Sequence, residues 1–182
     1  MIEETLDRLM RDVPDFPKPG IVFKDITPLL ADASALQEVA KAMADPWRDR
    51  GVTHVVGVES RGFLFGTSVA MELGVGLILV RKPGKLPCPV YSADYTLEYG
   101  TDRLEIHQDA LDSGSNVVVV DDVLATGGTA GAVVELIAQG ESLAAVAYDV
   151  GFADSAHLTR TIKQFFGLTP SYVTKSVQVH ML

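Results

Sequence analysis

Between residues 117 and 129 the chain reads Val-Val-Val-Val-Asp-Asp-Val-Leu-Ala-Thr-Gly-Gly-Thr, and no other stretch limits its fold so tightly. Four β-branched residues in a row predict a strand buried on both faces, as in a parallel sheet. The strand ends in two adjacent carboxylates, Asp121 and Asp122, and a loop of small and hydroxyl residues follows, Ala125, Thr126, Gly127, Gly128 and Thr129. The apolar run from Ala130 to Ile137 then predicts a helix. Such a layout places the carboxyl end of a strand and the amino end of a helix in one crevice. The glycines admit a ligand close to backbone N–H groups, and the helix start favours an anion. Two carboxylates can accept hydrogen bonds from vicinal hydroxyls, so the site suits a sugar phosphate. The plain alternative is an acidic turn that caps a helix. Other phosphate motifs are absent: a P-loop requires Lys where Gly128 is followed by Thr129, and no G-x-G-x-x-G follows a predicted strand.

At 182 residues the chain has the length of one domain with a real core. Hydrophobic content of 47% against 21% charged residues argues for a folded protein. A net charge of −9 disfavours non-specific contact with nucleic acid or an anionic membrane. The single Cys88 excludes an internal disulfide and a multi-cysteine metal site. The acidic Met1-Ile2-Glu3-Glu4 start carries no signal-peptide pattern, and no apolar run approaches membrane-spanning length. The expected location is the cytoplasm.

Leu6, Leu9, Met10 and Val13 fall at helical spacing, predicting a helix over Thr5 to Val13. Phe16-Pro17-Lys18-Pro19-Gly20 breaks it. From Ser34 a second helix is predicted, with Leu36, Val39, Ala40, Met43 and Trp47 on one stripe, and Pro46 kinking it or starting a second turn of it. Val55 to Val58 and Leu77 to Val80 read as strands around a helix from about Phe63 to Leu73. Residues 81–103 are polar and proline-bearing, and are expected to form a long loop excursion. Glu105 to Leu111 is expected to return as a strand. The β-α alternation implies a doubly wound parallel sheet.

Glu59-Ser60-Arg61-Gly62 falls where a strand turns into a helix, and a guanidinium beside a helix amino terminus suits a diphosphate. A surface turn with Ser60 as N-cap fits the position equally well. The wider string Glu59 to Gly66, Glu-Ser-Arg-Gly-Phe-Leu-Phe-Gly, resembles the pyrophosphate loop of the adenine branch of the type I phosphoribosyltransferases. Residues 117–129 likewise resemble that family's loop for phosphoribosyl pyrophosphate (PRPP). Residues 16–28 resemble its N-terminal base-binding hood. Arg81-Lys82-Pro83-Gly84-Lys85-Leu86-Pro87 and Leu97-Glu98-Tyr99-Gly100 resemble the two ends of its mobile catalytic loop. The resemblance runs over about residues 14–137.

The resemblance implies an α/β fold, a doubly wound parallel sheet with a small hood, and a homodimer. It implies transfer of a phosphoribosyl group from PRPP to adenine, giving AMP and pyrophosphate. Asp121 and Asp122 would hold the ribose hydroxyls, and Ala125, Thr126, Gly127, Gly128 and Thr129 the 5′-phosphate. Ser60, Arg61, Arg81, Lys82 and Lys85 would meet the diphosphate, with Mg²⁺ bound through substrate oxygens and water. Phe23 would stack on adenine while main-chain groups of Val22 and Lys24 read its edge. Glu98 would be the acid/base and Tyr99 a cover over the site, whereas His54 and His107 are expected to be structural.

Past Ile137 the pattern changes. Residues 139–173 resemble the second helix-turn-helix of AraC-type regulators, including a Gly151-Phe152 turn and a Gly-Leu-Thr-Pro ending at Pro170. Leu158, Ile162, Phe165 and Phe166 lie at spacings of one helical face. Yet from Gln139 onward Arg160, Lys163 and Lys175 are balanced by Glu141, Asp149 and Asp154, without the electropositive surface of a DNA reader. The competing reading keeps the enzyme fold, with Leu143 to Val150 and Tyr172 to Val179 as strands. It divides the chain into a core, residues 1–138, and a segment packed on it, residues 139–182. The other function then open is a ligand-sensing regulator built on a phosphoribosyltransferase-like domain.

Overall fold

The computed structural model describes residues 2–97, 100–121, 128–139 and 178–181. Contacts divide the chain into Met1–Pro46 and Trp47–Leu182.

In the first unit, helix α1 (Ile2–Leu9) is followed by strand β1 (Arg11–Pro14), strand β2 (Val22–Asp25), and helices α2 (Thr27–Ala31) and α3 (Ala33–Ala44). The helical spacing expected through Val13 therefore stops at Leu9. Arg11 to Pro14 instead pair antiparallel with β2, Val13 opposite Phe23 and Pro14 opposite Val22. Asp32 caps α3, its carboxylate accepting from the N–H groups of Ser34 and Ala35 at 3.0 Å. The expected stripe is buried at Val39 and Ala40, and Pro46 shapes a 3-10 turn, Asp45–Trp47, in which Trp47 is also buried.

The second unit carries a parallel sheet. Strands β3 (His54–Val58) and β4 (Gly76–Val80) flank helix α4 (Gly62–Leu73), and strand β7 (Asn116–Val120) precedes helix α5 (Gly128–Gln139). Among the described residues the order is β4-β3-β7-β8, with β8 spanning Gln178–Met181 and every neighbouring pair parallel. Val117 to Val120 are each fully buried, the outcome that a β-branched run predicts for a central strand. Strand β8 overlaps the end of the expected Tyr172–Val179 strand, while Leu143 to Val150 lie outside the described residues.

The register sorts the sheet into two faces. Val55, Gly57, Leu77, Val118 and Val120 share the face that α4 covers, and Gly57 and Gly66 bring helix and strand close together. Val56, Val58, Ile78, Val80, Val117 and Val119 share the other face. There the cover is α5 together with an antiparallel hairpin, β5 (Val90–Leu97) and β6 (Gly100–His107). This hairpin occupies much of the segment whose polar, proline-bearing sequence reads as loop. Its period-two pattern is half polar because only one face is covered: Ala93, Tyr95, Leu104 and Ile106 are buried, while Asp94 and Arg103 pair in solvent.

Candidate active site

The carboxyl ends of β3 and β7 lie side by side, and a glycine sets how closely. A Cβ added to Gly62 would stand 2.5 Å from the carbonyl oxygen of Val120 and 3.3 Å from the Cα of Asp121. Only glycine permits this approach. The Glu59–Gly62 loop and the start of the acidic loop therefore share one crevice at the carboxyl edge of the sheet, as strand-to-helix turns in parallel sheets do.

Ser60 does not cap α4: Arg61 holds the N-cap position and no side-chain cap bond forms. The surface-turn alternative for this string thus loses its capping rationale. Arg61 is half-buried at the amino end of α4, and the Glu59–Ser60 peptide is cis.

At the end of β4, Arg81 begins a turn that gathers the basic residues. Its Nε donates to Glu59 Oε2 at 3.2 Å, its guanidinium lies 5.8 Å from the ring centroid of Phe63, and its Nη1 donates to the carbonyl of Lys85 at 3.2 Å. The Lys85 ammonium is bonded to Glu59 Oε1. Lys82 behaves differently. Its main-chain N–H donates to Glu59 at 2.9 Å, while its ammonium goes to the hairpin, to Tyr95 Oη at 2.9 Å and to Asp102. Burial lowers the Lys82 pKa, but its bonds to Asp102 and Tyr95 raise it further, for a net upward shift; Asp102 is held below the usual carboxylate range by Lys82. Arg81 and Lys85 thus stay together at the end of β4, and Lys82 fastens the hairpin.

Asp121 is half-buried directly after β7, and Gly128 and Thr129 form the first turn of α5. Asp122, Ala125, Thr126, Gly127, Glu98 and Tyr99 lie outside the described residues. His54 Nδ1 lies 3.1 Å from Thr53 Oγ1. The half-buried His107 ends β6. Glu59 is the residue whose role the sequence reading missed.

In the first unit, Val22, Phe23 and Lys24 form most of β2. Val22 is 56% exposed and faces Pro14, which has no N–H to give that end of the ladder. Phe23 meets Phe16 edge to face at 5.2 Å, and the Lys24 ammonium pairs with Asp12 at 2.5 Å. Asp25 anchors the strand: hydrogen bonds from the side chain and N–H of Thr27, then from Arg11, lower its pKa to about 2.

The sequence profile of the phosphoribosyl transferase domain matches residues 26–151. Adenine phosphoribosyltransferase from Acaryochloris marina is 56% identical over 133 residues, covering 73% of this chain and 78% of that one. The Nocardioides enzyme of the same name is 53% identical over 161 residues, 85% and 87% of the two chains. The crystal structure of adenine phosphoribosyltransferase from Thermoanaerobacter pseudethanolicus has a TM-score of 0.75 at 40% identity and covers 99% of each chain. The Saccharomyces cerevisiae enzyme, solved with an imino-altritol bisphosphate and adenine, gives 0.73 at 41%, over 77% of this chain and 82% of that one. The chain belongs to the phosphoribosyltransferase family, with the type I fold, in the branch of the adenine phosphoribosyltransferases.

A helix-turn-helix domain profile also matches, over residues 129–176. Its beginning coincides with α5, whose Ala132, Val133, Val134, Leu136 and Ile137 are buried in the core. That first helix is a structural layer of the enzyme fold.

Proposed function

We infer that the chain joins adenine to PRPP, releasing AMP and pyrophosphate as a purine-salvage transferase. The observation that carries this reading is the approach of Gly62 to Val120. It supports a single crevice flanked by Arg61 and the Arg81–Lys85 turn on one side and by Asp121 on the other.

The reaction breaks the bond from the anomeric carbon to the diphosphate oxygen as a ring nitrogen of adenine bonds to that carbon. Positive charge develops on the ribose ring and negative charge on the departing diphosphate. Catalysis therefore requires a held sugar, a neutralised leaving group and an acceptor for the adenine proton. Asp121 and Asp122 hold the ribose hydroxyls and stand near the developing positive charge. Ala125 to Thr129 hold the 5′-phosphate at the start of α5. Ser60, Arg61, Arg81 and Lys85 meet the diphosphate, and Lys82 joins them on exchanging Asp102 for a diphosphate oxygen. Phe23 stacks on the base, main-chain groups of Val22 and Lys24 read its edge, Glu98 takes the proton and Tyr99 covers the site.

Among the described residues no three His, Cys, Asp or Glu side chains gather to hold a metal. As the family resemblance implies, Mg²⁺ would be held through substrate oxygens and water, where it would offset diphosphate charge. A homodimer belongs to the same proposal, supported by the exposed Leu64 and Met71 of α4 and Leu79 of β4. A cytoplasmic setting fits the exposed free thiol of Cys88 and a phosphorylated substrate. Among the described residues no helix is long and apolar enough to cross a membrane. The pairing of β8 with β7 supports residues 139–182 packing on the core.

The deciding assay is AMP formation from adenine, PRPP and Mg²⁺, with hypoxanthine and guanine as controls. No AMP from folded protein would overturn the reading. Replacing Asp121→Asn and Asp122→Asn together is expected to lower kcat/KM for PRPP severely without unfolding the sheet. Parental turnover in that variant would reduce the acidic pair to a turn.

A further inference from the structure

The Arg81–Lys85 turn is organised by a carboxylate that the reaction scheme does not use. The Glu59 side chain is only 9% exposed. One oxygen accepts from Arg81 Nε and from the main-chain N–H of Lys82, and the other accepts from the Lys85 ammonium. Burial raises the Glu59 pKa, but the bonds from Lys85, Lys82 and Arg81 more than offset this and hold the carboxyl below its ordinary range. Glu59 is therefore charged at neutral pH. Two more bonds close the turn, Arg81 to the carbonyl of Lys85 and the Gly84 N–H to Glu105 Oε2 at 2.9 Å, with Gly84 at φ +74°.

A nearly buried carboxylate is costly to desolvate, and its ion pairs often add little net stability beyond repaying that cost. What this one does is restrain two long cationic side chains while leaving them donors to spare. An ammonium has three N–H groups and a guanidinium five. Lys85 gives one to Glu59, and among the described residues its other two meet no acceptor. Arg81 gives its Nε hydrogen to Glu59 and one Nη1 hydrogen to Lys85, which leaves Nη2 without a described acceptor. Both side chains reach solvent, Lys85 at 47% and Arg81 at 29%.

We propose that Glu59 is a positioning residue that fixes Lys85 and Arg81 as a preformed two-cation clamp for the diphosphate of PRPP. This rests on the assignment of the turn to the diphosphate made above. Ordering the cations before substrate arrives removes their conformational cost from the binding step. Glu59 also balances part of their charge, so the clamp stays compact when empty.

The test is a double-mutant cycle, read by calorimetric titration with magnesium pyrophosphate and by kinetics. Glu59→Gln keeps the shape and removes the charge. Binding of pyrophosphate is expected to weaken roughly tenfold, the scale of a lost charge-assisted hydrogen bond. The KM for PRPP is expected to rise while that for adenine holds. In a Lys85→Met background the same change is expected to cost much less, because Glu59 acts largely through Lys85. Equal weakening in both backgrounds, or none in either, would overturn the positioning role. Unchanged pyrophosphate binding in Lys85→Met would overturn the diphosphate assignment and the clamp together. Weakening in Lys85→Met with none in Glu59→Gln would overturn the clamp alone. Should Glu59→Gln fail to fold, Glu59→Asp, which withdraws the charge by one methylene, supplies the cycle.

Discussion

The two faces of the parallel sheet are packed by opposite means. On the α4 face the limiting quantity is backbone approach. A Cβ at Gly66 would sit 3.3 Å from Leu77 and 3.4 Å from the Cα of Gly57, and one at Gly62 would strike the backbone of β7. On the other face the limiting quantity is side-chain volume. Val56, Ile78 and Val119 are covered by Leu104, Ile106, Leu136 and Ile137, all nearly or fully buried. The candidate site is set by the face where helix and strands must come close, and much of the apolar burial lies on the face where side chains fill space. The filled face is therefore expected to fail when side chains are cut back, and the close face when one is added.

The largest effect belongs to the filled face. Leu104→Ala leaves a cavity under the sheet and is expected to cost about 2–5 kcal/mol, read as a lower denaturant midpoint with an unchanged slope. Next comes the close face. Gly62→Ala is expected to cost about 1–3 kcal/mol by overpacking, despite alanine's better helix propensity. It should also lower AMP formation at temperatures where both proteins are fully folded, because the loops after β3 and β7 are pushed apart. If Gly62→Ala left both stability and rate untouched, the contrast between the faces would collapse.

A smaller effect is expected from the Lys82 fastening. Asp102 has a folded pKa below its ordinary 3.8, so its contribution is present above that value and lost as pH falls through the lower folded one. Lys82 has a folded pKa above 10.5, so its share is present below 10.5 and lost as pH rises past it. Asp102→Asn is expected to lower the thermal midpoint modestly at neutral pH and to flatten the acid limb. A variant that keeps the parental acid limb would remove Asp102 from it. Smallest of all, Asp94→Asn breaks an ion pair with Arg103 that stands in solvent. Surface pairs of this kind contribute little, and no resolvable change of midpoint is expected.

The elements that shape the crevice were legible in the sequence because their periods are unambiguous. Val117 to Val120 could hardly be anything but a central strand, and β3, α4 and β4 follow the same logic. The hairpin β5–β6 was not legible. Its buried positions, Ala93 and Tyr95 against Leu104 and Ile106, alternate with Asp94, Thr101 and Arg103, and the prolines before it suggest a loop. The alternation itself was the available signal. In the candidate site, Arg61, Arg81 and Lys85 were singled out through the strings that contain them, by resemblance. Glu59 stands in one of those strings, but its role depends on Lys85, distant in sequence. No local pattern announces a carboxylate whose partners arrive from another strand's end.

The pairing of β8 with β7 has a consequence for how the chain is made. The strand that leads into the acidic loop is synthesised well before the strand that becomes its neighbour. Until residues 178–181 arrive, one side of β7 offers a row of unsatisfied N–H and C=O groups along four valines, a template for pairing with the wrong chain. Sheet closure is a long-range event, and long-range parallel pairing is slow. The nascent chain therefore carries an aggregation hazard on the strand that leads into Asp121, and residues 178–181 act as its guard.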